Sequence, residues 1–244
     1  MASDRRTAIV TGGSGGIGKA CAEVLLKRGY DVVLTARREG PLEEVASTIG
    51  CRFVAADCTE PDEFARVVAA CERVDLLVHS AGVLKGTFVR KERITDFDDV
   101  MRINVRSTFV GVQGVLPVMP VGGRIIVISS SASTAPMRGR AAYSASKAAV
   151  NAFADALRDE VFRDGIHVNV VVPAPVETDM LDDVTFEMYA LQASDVADTV
   201  AFLDGLDPRV VMPQIELRAV DSGPLAPPPL LPPAAANRAP RQGK

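Results

Sequence analysis

Tyr143 and Lys147 stand four residues apart in the stretch Tyr-Ser-Ala-Ser-Lys. The surrounding run from Ala141 to Gly165 repeats apolar residues at three- and four-residue steps, which predicts a helix that places both side chains on one face. A nearby ammonium favours the phenolate and lowers a phenol pKa that is ordinarily about 10. The pair is therefore a candidate general acid/base. The alternative is a core tyrosine beside a solvated lysine.

Ser130 and Asn104 are two further candidates. Ser130 follows the apolar run Gly123 to Ile128, which predicts a strand, and a hydroxyl at that strand end is placed to hydrogen-bond a substrate oxygen. The alternative is a serine in a turn or helix cap. Asn104 lies in a long predicted helix from Phe97 to Val115, where a buried amide must find hydrogen-bond partners, so a purely structural role is its alternative.

A glycine-rich turn lies near the start of the chain. The apolar run from Thr7 to Gly12 leads into Gly-Gly-Ser-Gly-Gly-Ile-Gly and then into residues with helical spacing. In a strand–glycine turn–helix unit the backbone can approach a pyrophosphate closely, and the unpaired N–H groups of the helix point at the negative charge. Glycines alone also form simple turns, but the position between a strand and a helix favours dinucleotide binding.

The second predicted strand indicates which dinucleotide binds. It runs from Asp31 to Thr35 and is followed by Ala36, Arg37 and Arg38. A carboxylate at this strand end suits a free ribose 2′-hydroxyl, whereas an arginine suits a 2′-phosphate. The sequence therefore favours NADP(H), unless both arginines are merely solvated charges at the start of the next helix.

The remaining elements alternate between strands and helices, which predicts βαβ units and an α/β fold with a parallel sheet covered on both faces. We expect helices at Leu42–Ile49, Pro61–Glu72 and Ala193–Leu206, and strands at Cys51–Ala56, Asp75–Val78, Ile166–Val172 and Val210–Leu217. Ser194 is the expected N-cap of the last helix. Pro213 favours an edge position or a bulge for the last strand, because proline cannot donate to a ladder.

Ligands of such sheets lie beyond the carboxyl ends of the strands. Asp57 and the segment His79-Ser80-Ala81-Gly82 follow two of these ends and are candidates for cofactor contact. For His79 the alternative is a loop imidazole that hydrogen-bonds to backbone groups.

The composition narrows the class of protein. With 244 residues, 48% of them hydrophobic, the chain suits one large domain. A formal net charge of -4 argues against a nucleic-acid partner. No apolar run approaches the ~20 residues that span a bilayer, and the N-terminal residues show no signal-peptide core, so we expect a cytoplasmic protein without a membrane partner. The cysteines, namely Cys21, Cys51, Cys58 and Cys71, lack Cys-x-x-Cys spacing and are expected to be reduced packing residues, with no metal site.

Together these motifs resemble the short-chain dehydrogenase/reductase family from about Thr7 to Val220. The resemblance rests on Thr-Gly-x-x-x-Gly-x-Gly at residues 11–18, the strand-end Ser80-Ala81-Gly82, Asn104 on a helix, and Ser130 followed, after twelve residues, by Tyr143-x-x-x-Lys147. It is specific because five motifs occur in the right order and spacing.

The resemblance implies a single-domain, doubly wound Rossmann fold with a parallel sheet of about seven strands, and a carbonyl or alcohol as the small-molecule substrate. It implies Tyr143 as the proton donor or acceptor, Lys147 as the group that lowers the tyrosine pKa, Ser130 as a substrate ligand and Asn104 as a seat for a relay water. It also implies a homo-oligomer, a dimer or tetramer. The expected cofactor-binding residues are Gly12, Ser14, Gly16, Ile17, Gly18, Arg37, Asp57, Cys58, Ser80, Ala81, Gly82, Tyr143, Lys147, Pro173, Val176 and Thr178.

Three departures from the family pattern stand out. His79-Ser80-Ala81-Gly82 replaces Asn-Asn-Ala-Gly, and Pro173-Ala174 replaces Pro-Gly, which puts a methyl where the backbone often approaches the cofactor. The expected substrate lid, from Thr178 to Gln192, is short, with an apolar lining from Met180, Leu181, Phe186, Met188 and Tyr189. We expect the first two changes to adjust cofactor affinity without abolishing it.

The chain divides into an oxidoreductase domain at residues 1–221 and a proline- and alanine-rich tail at 222–244, which is expected to be extended. The sequence predicts an NADP(H)-dependent enzyme that interconverts a carbonyl and a secondary alcohol. A 3-oxoacyl-thioester reductase is the alternative within this class. A non-catalytic dinucleotide sensor or scaffold is the alternative outside it.

Overall fold

Seven short strands form one parallel sheet in the computed structural model, which describes residues 5–178 and 190–219. They are β1 (Thr7–Thr11), β2 (Asp31–Ala36), β3 (Arg52–Ala55), β4 (Leu76–His79), β5 (Arg124–Ile128), β6 (His167–Pro173) and β7 (Gln214–Leu217). Their order across the sheet is β3-β2-β1-β4-β5-β6-β7. The predicted doubly wound Rossmann fold is confirmed.

Helices cover both faces of the sheet. They are α1 (Gly16–Lys27), α2 (Glu39–Ile49), α3 (Pro61–Ala69), α4 (Ile94–Met101), α5 (Ser107–Val115), α6 (Ala141–Val161) and α7 (Ala193–Asp204). Alternate strand residues enter two cores, so that on β1 Ala8 and Val10 face α1, α2 and α7, whereas Ile9 faces α3, α5 and α6. This period of two is the reason for the continuous apolar runs, because a strand buried on both faces needs apolar residues at every position.

The strand order reverses between β1 and β4, and a crevice forms there. β1 pairs with β2 on one side and with β4 on the other, and Thr11 lies level with both Thr35 and His79. The segments that follow these three strands therefore meet at one edge of the sheet, the usual place for a ligand in such folds.

One predicted helix differs from expectation in its regularity. The run predicted from Phe97 to Val115 starts at Ile94 and contains a π-helical turn at Arg102–Arg106 between α4 and α5. Just after this turn, the hydroxyls of Ser107 and Thr108 donate to the carbonyls four residues before them. Such side-chain bonds compete with the regular ladder, and π turns often mark functional sites.

The last elements are shorter than predicted. β7 begins at Gln214 and not at Val210, directly after Pro213, which has no N–H to donate. It is the edge strand of the sheet, as Pro213 indicated. Ser194 is not the N-cap of α7, since Gln192 holds that position in a capping box with Asp195. All four cysteines are free thiols, two of them buried.

Two sequence expectations lie outside the described residues. They are the central part of the lid, 179–189, and the tail, 222–244. Within the described part of the chain, none of the helices combines the length and apolar character needed to cross a bilayer.

Candidate active site

Ser130, Tyr143 and Lys147 come together where β5 ends and α6 begins. Ser130 caps a short 3-10 turn, and its Oγ accepts a hydrogen bond from the Ala132 N–H at 3.2 Å. Tyr143 and Lys147 lie one turn apart near the start of α6, and both are 7% exposed. Ser130 is a side-chain neighbour of Tyr143 that lowers the pKa of its phenol. The structure therefore assembles the three predicted residues in one buried site.

The electrostatics of this site differ from the sequence expectation. Burial raises the pKa of Tyr143, and the Ser130 side chain partly opposes that rise. The expectation that Lys147 lowers this pKa is not met, because the ammonium donates to the Ile128 carbonyl at 2.9 Å and lies 6.0 Å from the centre of the tyrosine ring. Burial lowers the pKa of Lys147 itself to about 8. The phenol is consequently protonated at neutral pH.

Asn104 ties three segments of the site together. Its Oδ1 accepts from the Val83 N–H at 2.8 Å, and its Nδ2 donates to the Val83 carbonyl at 3.1 Å and to the Ser146 Oγ at 2.9 Å. The Ser146 hydroxyl in turn donates to the Tyr143 carbonyl at 2.7 Å. The amide thus links the π-helical turn, the loop after β4 and the tyrosine helix. This is the structural role left open by the sequence, while the role in holding a relay water stays a prediction.

The glycine turn has the close packing that a phosphate-binding backbone requires. Gly12 adopts a φ of 68°, a left-handed conformation that favours glycine. A Cβ added at Gly18 would lie 2.3 Å from the Gly12 carbonyl oxygen, so no side chain fits at the first turn of α1. The helix N-terminus therefore lies directly against the turn, with its N–H groups open to an anion.

A cleft of ≈ 210 Å³ opens beside this turn. Seven of the expected cofactor residues line it, namely Gly12, Ser14, Arg37, Asp57, Cys58, Ala81 and Gly82. Sequence reasoning missed Ala56, Thr59, Val83, Ile103 and Ser107, which also line it. Ile103 and Ser107 lie on a helical segment whose apolar pattern indicated packing, so no sequence signal marked them.

Two groups in the cleft have well-defined surroundings. Burial raises the pKa of Asp57, but hydrogen bonds from Thr59 and the Arg102 guanidinium more than offset it, so the pKa lies below its ordinary value. The Cys58 thiol has the opposite balance, because burial raises its pKa to about 12. Asp57 is therefore an anion in the cleft, and Cys58 is a neutral packing group.

The other expected cofactor residues lie outside the lining of this cleft. A Cβ added at Gly16 would lie 3.0 Å from the Thr178 methyl, so the segment after β6 reaches the glycine turn. Pro173 ends β6 and Val176 is buried just beyond it. Ile17 belongs to the first turn of α1, and Ser80 follows β4. Ala174 is 9% exposed and belongs to a hydrophobic core, so the fold accommodates its methyl.

His79 is neither in a loop nor satisfied by backbone groups. It ends β4, is 1% exposed, and lies between the hydroxyls of Thr11 and Ser107. Burial first, and then the charge of Lys147, lowers its pKa to about 3. The imidazole is therefore neutral.

Residues 6–188 match the family model described as short chain dehydrogenase. A 3-oxoacyl-[acyl-carrier-protein] reductase from Rickettsia bellii is 33% identical over 214 residues, which are 81% of this chain and 88% of that protein. Among solved structures, a variant of actinorhodin polyketide ketoreductase with NADPH superposes with a TM-score of 0.81 at 29% identity, covering 88% of this chain and 97% of the other. A short chain dehydrogenase from Burkholderia cenocepacia J2315 in complex with NADP gives 0.79 at 31% identity, covering 87% and 96%.

Proposed function

Because this chain belongs to the short-chain dehydrogenase family of oxidoreductases, we propose that it interconverts a carbonyl and a secondary alcohol with NADP(H), using Tyr143 as the general acid/base. The observation that carries the proposal is the buried placement of Tyr143 beside Ser130, with Lys147 one helical turn away. A protein that only binds a dinucleotide has no need of a buried proton donor.

The choice of NADP(H) over NAD(H) is supported by the residues after β2. Arg37 and Arg38 line the cleft beside Ala36, where a carboxylate would suit an unphosphorylated ribose. Both side chains are exposed, so a 2′-phosphate can reach them from solvent. The relatives solved with NADPH or NADP agree with this choice.

Each residue of the site has a distinct task in the proposed reaction. When bound, the nicotinamide supplies or accepts the hydride. In the reducing direction Tyr143 gives its proton to the substrate oxygen, and in the oxidising direction the phenolate takes it back. The Ser130 hydroxyl donates to the same oxygen and stabilises its developing negative charge. Lys147 supplies a positive charge next to the cofactor cleft, since its Nζ lies 3.5 Å from the position of a Cβ added at Gly82.

Purified protein is expected to oxidise NADPH in the presence of at least one member of a panel of ketones, diketones and 3-oxoacyl thioesters. Loss of absorbance at the nicotinamide band measures turnover, and the panel without protein is the control. The relatives that reduce 3-oxoacyl-[acyl-carrier-protein] make the thioesters the second candidate substrate class. NADPH binding without turnover across the whole panel would favour a sensor.

We also propose that the chain forms a homo-oligomer through α5 and α6. Phe109 on α5 is 50% exposed, and its ring centre lies 5.9 Å from that of the half-buried Phe153 on α6, so an exposed aromatic side chain marks the surface of these two helices. Light scattering should give a molar mass of two or four chains. Phe109→Glu should shift it towards one chain, and a single-chain mass for the unaltered protein would refute the proposal.

A further inference from the structure

A chain of polar side chains crosses the interior beneath the cofactor cleft. His79 lies at its centre, with Nδ1 3.2 Å from the Thr11 Oγ1 and Nε2 3.1 Å from the Ser107 Oγ. All three residues are at most 1% exposed. Within such an interior every donor must meet an acceptor, so the direction of each hydrogen bond can be worked out from its neighbours.

The Thr11 end of the chain determines one ring nitrogen. The Thr11 Oγ1 accepts hydrogen bonds from the Ser80 N–H at 3.1 Å and the Ala81 N–H at 3.0 Å. With its two lone pairs engaged, the hydroxyl has only its hydrogen left to offer. His79 Nδ1 must therefore accept that hydrogen and carry no proton.

The Ser107 end gives the same answer independently. The Ser107 hydroxyl donates its hydrogen to the Ile103 carbonyl inside the π-helical turn. Its oxygen is thus available only as an acceptor towards the imidazole, so His79 Nε2 carries the proton. Both ends require one neutral tautomer, protonated at Nε2.

We propose that His79, as the neutral Nε2–H tautomer, is a positioning residue that couples the segment Ser80-Ala81, whose Ala81 lines the cofactor cleft, to the π-helical turn carrying Asn104. The imidazole of His79 packs closely against Gly111 on α5, since a Cβ added at Gly111 would lie 3.2 Å from Nδ1. This coupling rests on the proposed function only in that the cleft holds the cofactor.

Protonation would break the chain at the Thr11 end. An imidazolium carries a proton on both nitrogens, so Nδ1 would then face the Thr11 hydroxyl as a second donor. The surroundings oppose this, because burial and the Lys147 charge hold the pKa of His79 at about 3, against an ordinary 6.5. The unfolded chain binds this proton more readily, so the stability contributed by neutral His79 is complete above pH 6.5 and is lost as the pH falls from there towards 3.

Two measurements test the proposal without turnover. The first is 15N NMR of the imidazoles, for which the chain offers only His79 and His167. One resonance pair should show the Nε2–H tautomer, unchanged from pH 8 to pH 5, and His79→Asn should remove that pair. An Nδ1–H tautomer, or a His79 that titrates near pH 6.5, would overturn the proposal.

The second measurement is NADPH affinity by fluorescence titration. Ser107→Ala and His79→Phe should each raise the dissociation constant about tenfold, because each leaves a buried polar group unpaired. His79→Asn, whose amide can accept from Thr11, should recover most of the loss. Ser107→Ala removes a single hydroxyl and remains informative if His79→Phe fails to fold. Affinities for Ser107→Ala and folded His79→Phe equal to that of the unaltered protein would reduce His79 to a space-filling group and overturn the coupling.

Discussion

Tyr143→Phe is expected to lower kcat by roughly 10²–10⁴-fold while NADPH still binds. The substitution removes one oxygen and keeps the ring, so the packing of α6 is preserved. Ser130 can still hydrogen-bond the substrate oxygen, but without the Tyr143 hydroxyl the site has lost the group that delivers a proton to that oxygen. Steady-state turnover of whichever carbonyl the panel identifies, together with an NADPH titration, separates the two effects.

A second tyrosine provides the matched control. The Tyr30 hydroxyl donates to Asp204 at 2.5 Å in a contact between the start of β2 and the end of α7. Tyr30→Phe makes the same chemical change away from the cofactor cleft, and should alter kcat little. Full activity in Tyr143→Phe would eliminate this residue as the acid/base.

The rates of the two directions of the reaction should also differ in their pH dependence. Burial raises the pKa of Tyr143, so at neutral pH the phenol holds its proton and is ready to donate it. Alcohol oxidation needs the phenolate and should become faster as the pH rises above neutrality, whereas carbonyl reduction should not. Tyr143→Phe should abolish this dependence.

Arg37→Asp is expected to weaken NADPH binding by about 10²-fold and to change NADH binding much less. The substitution replaces a cation that can form charge-assisted hydrogen bonds with a 2′-phosphate by an anion that repels it. A free 2′-hydroxyl loses no such contact and can donate to the new carboxylate. Dissociation constants for both cofactors, measured at one ionic strength, test this directly.

Arg163→Asp is the control for this second prediction. Arg163 is exposed after α6 and does not line the cofactor cleft, so the variant makes the same change in net charge at a remote position. It should leave both affinities unchanged. An equal loss of NADPH and NADH in Arg37→Asp would refute the assignment of the 2′-phosphate to this side chain.

Several features of the site could be predicted because they depend on neighbours in sequence. The glycine turn follows from Gly12 and Gly18, since a left-handed φ and a 2.3 Å approach exclude a side chain. Tyr143 and Lys147 share a helical face because four residues make about one turn. The strand order was not predicted from periodicity, and the family resemblance implied only a doubly wound parallel sheet of about seven strands.

Residues of the site that depend on distant partners were not predictable in the same way. Asn104 meets Ser146 across 42 residues, and Ser107 meets His79 across 28. The sequence did not indicate that Ser107 lines the cleft, because the apolar pattern of its helix predicts packing alone. Such contacts exist only after the helices have packed on the sheet.

By itself, the sequence determined the identity and spacing of the reacting groups, the glycine turn and the alternation of strands with helices, because each depends on residues close together in the chain. Only the tertiary structure decided the protonation of the groups. It buries Tyr143, directs Lys147 at Ile128, and places His79 between hydroxyls 68 and 28 residues away. The physical reason is that desolvation and hydrogen-bond direction depend on everything packed around a group. For His79 those surroundings come from β1, β4 and α5 together.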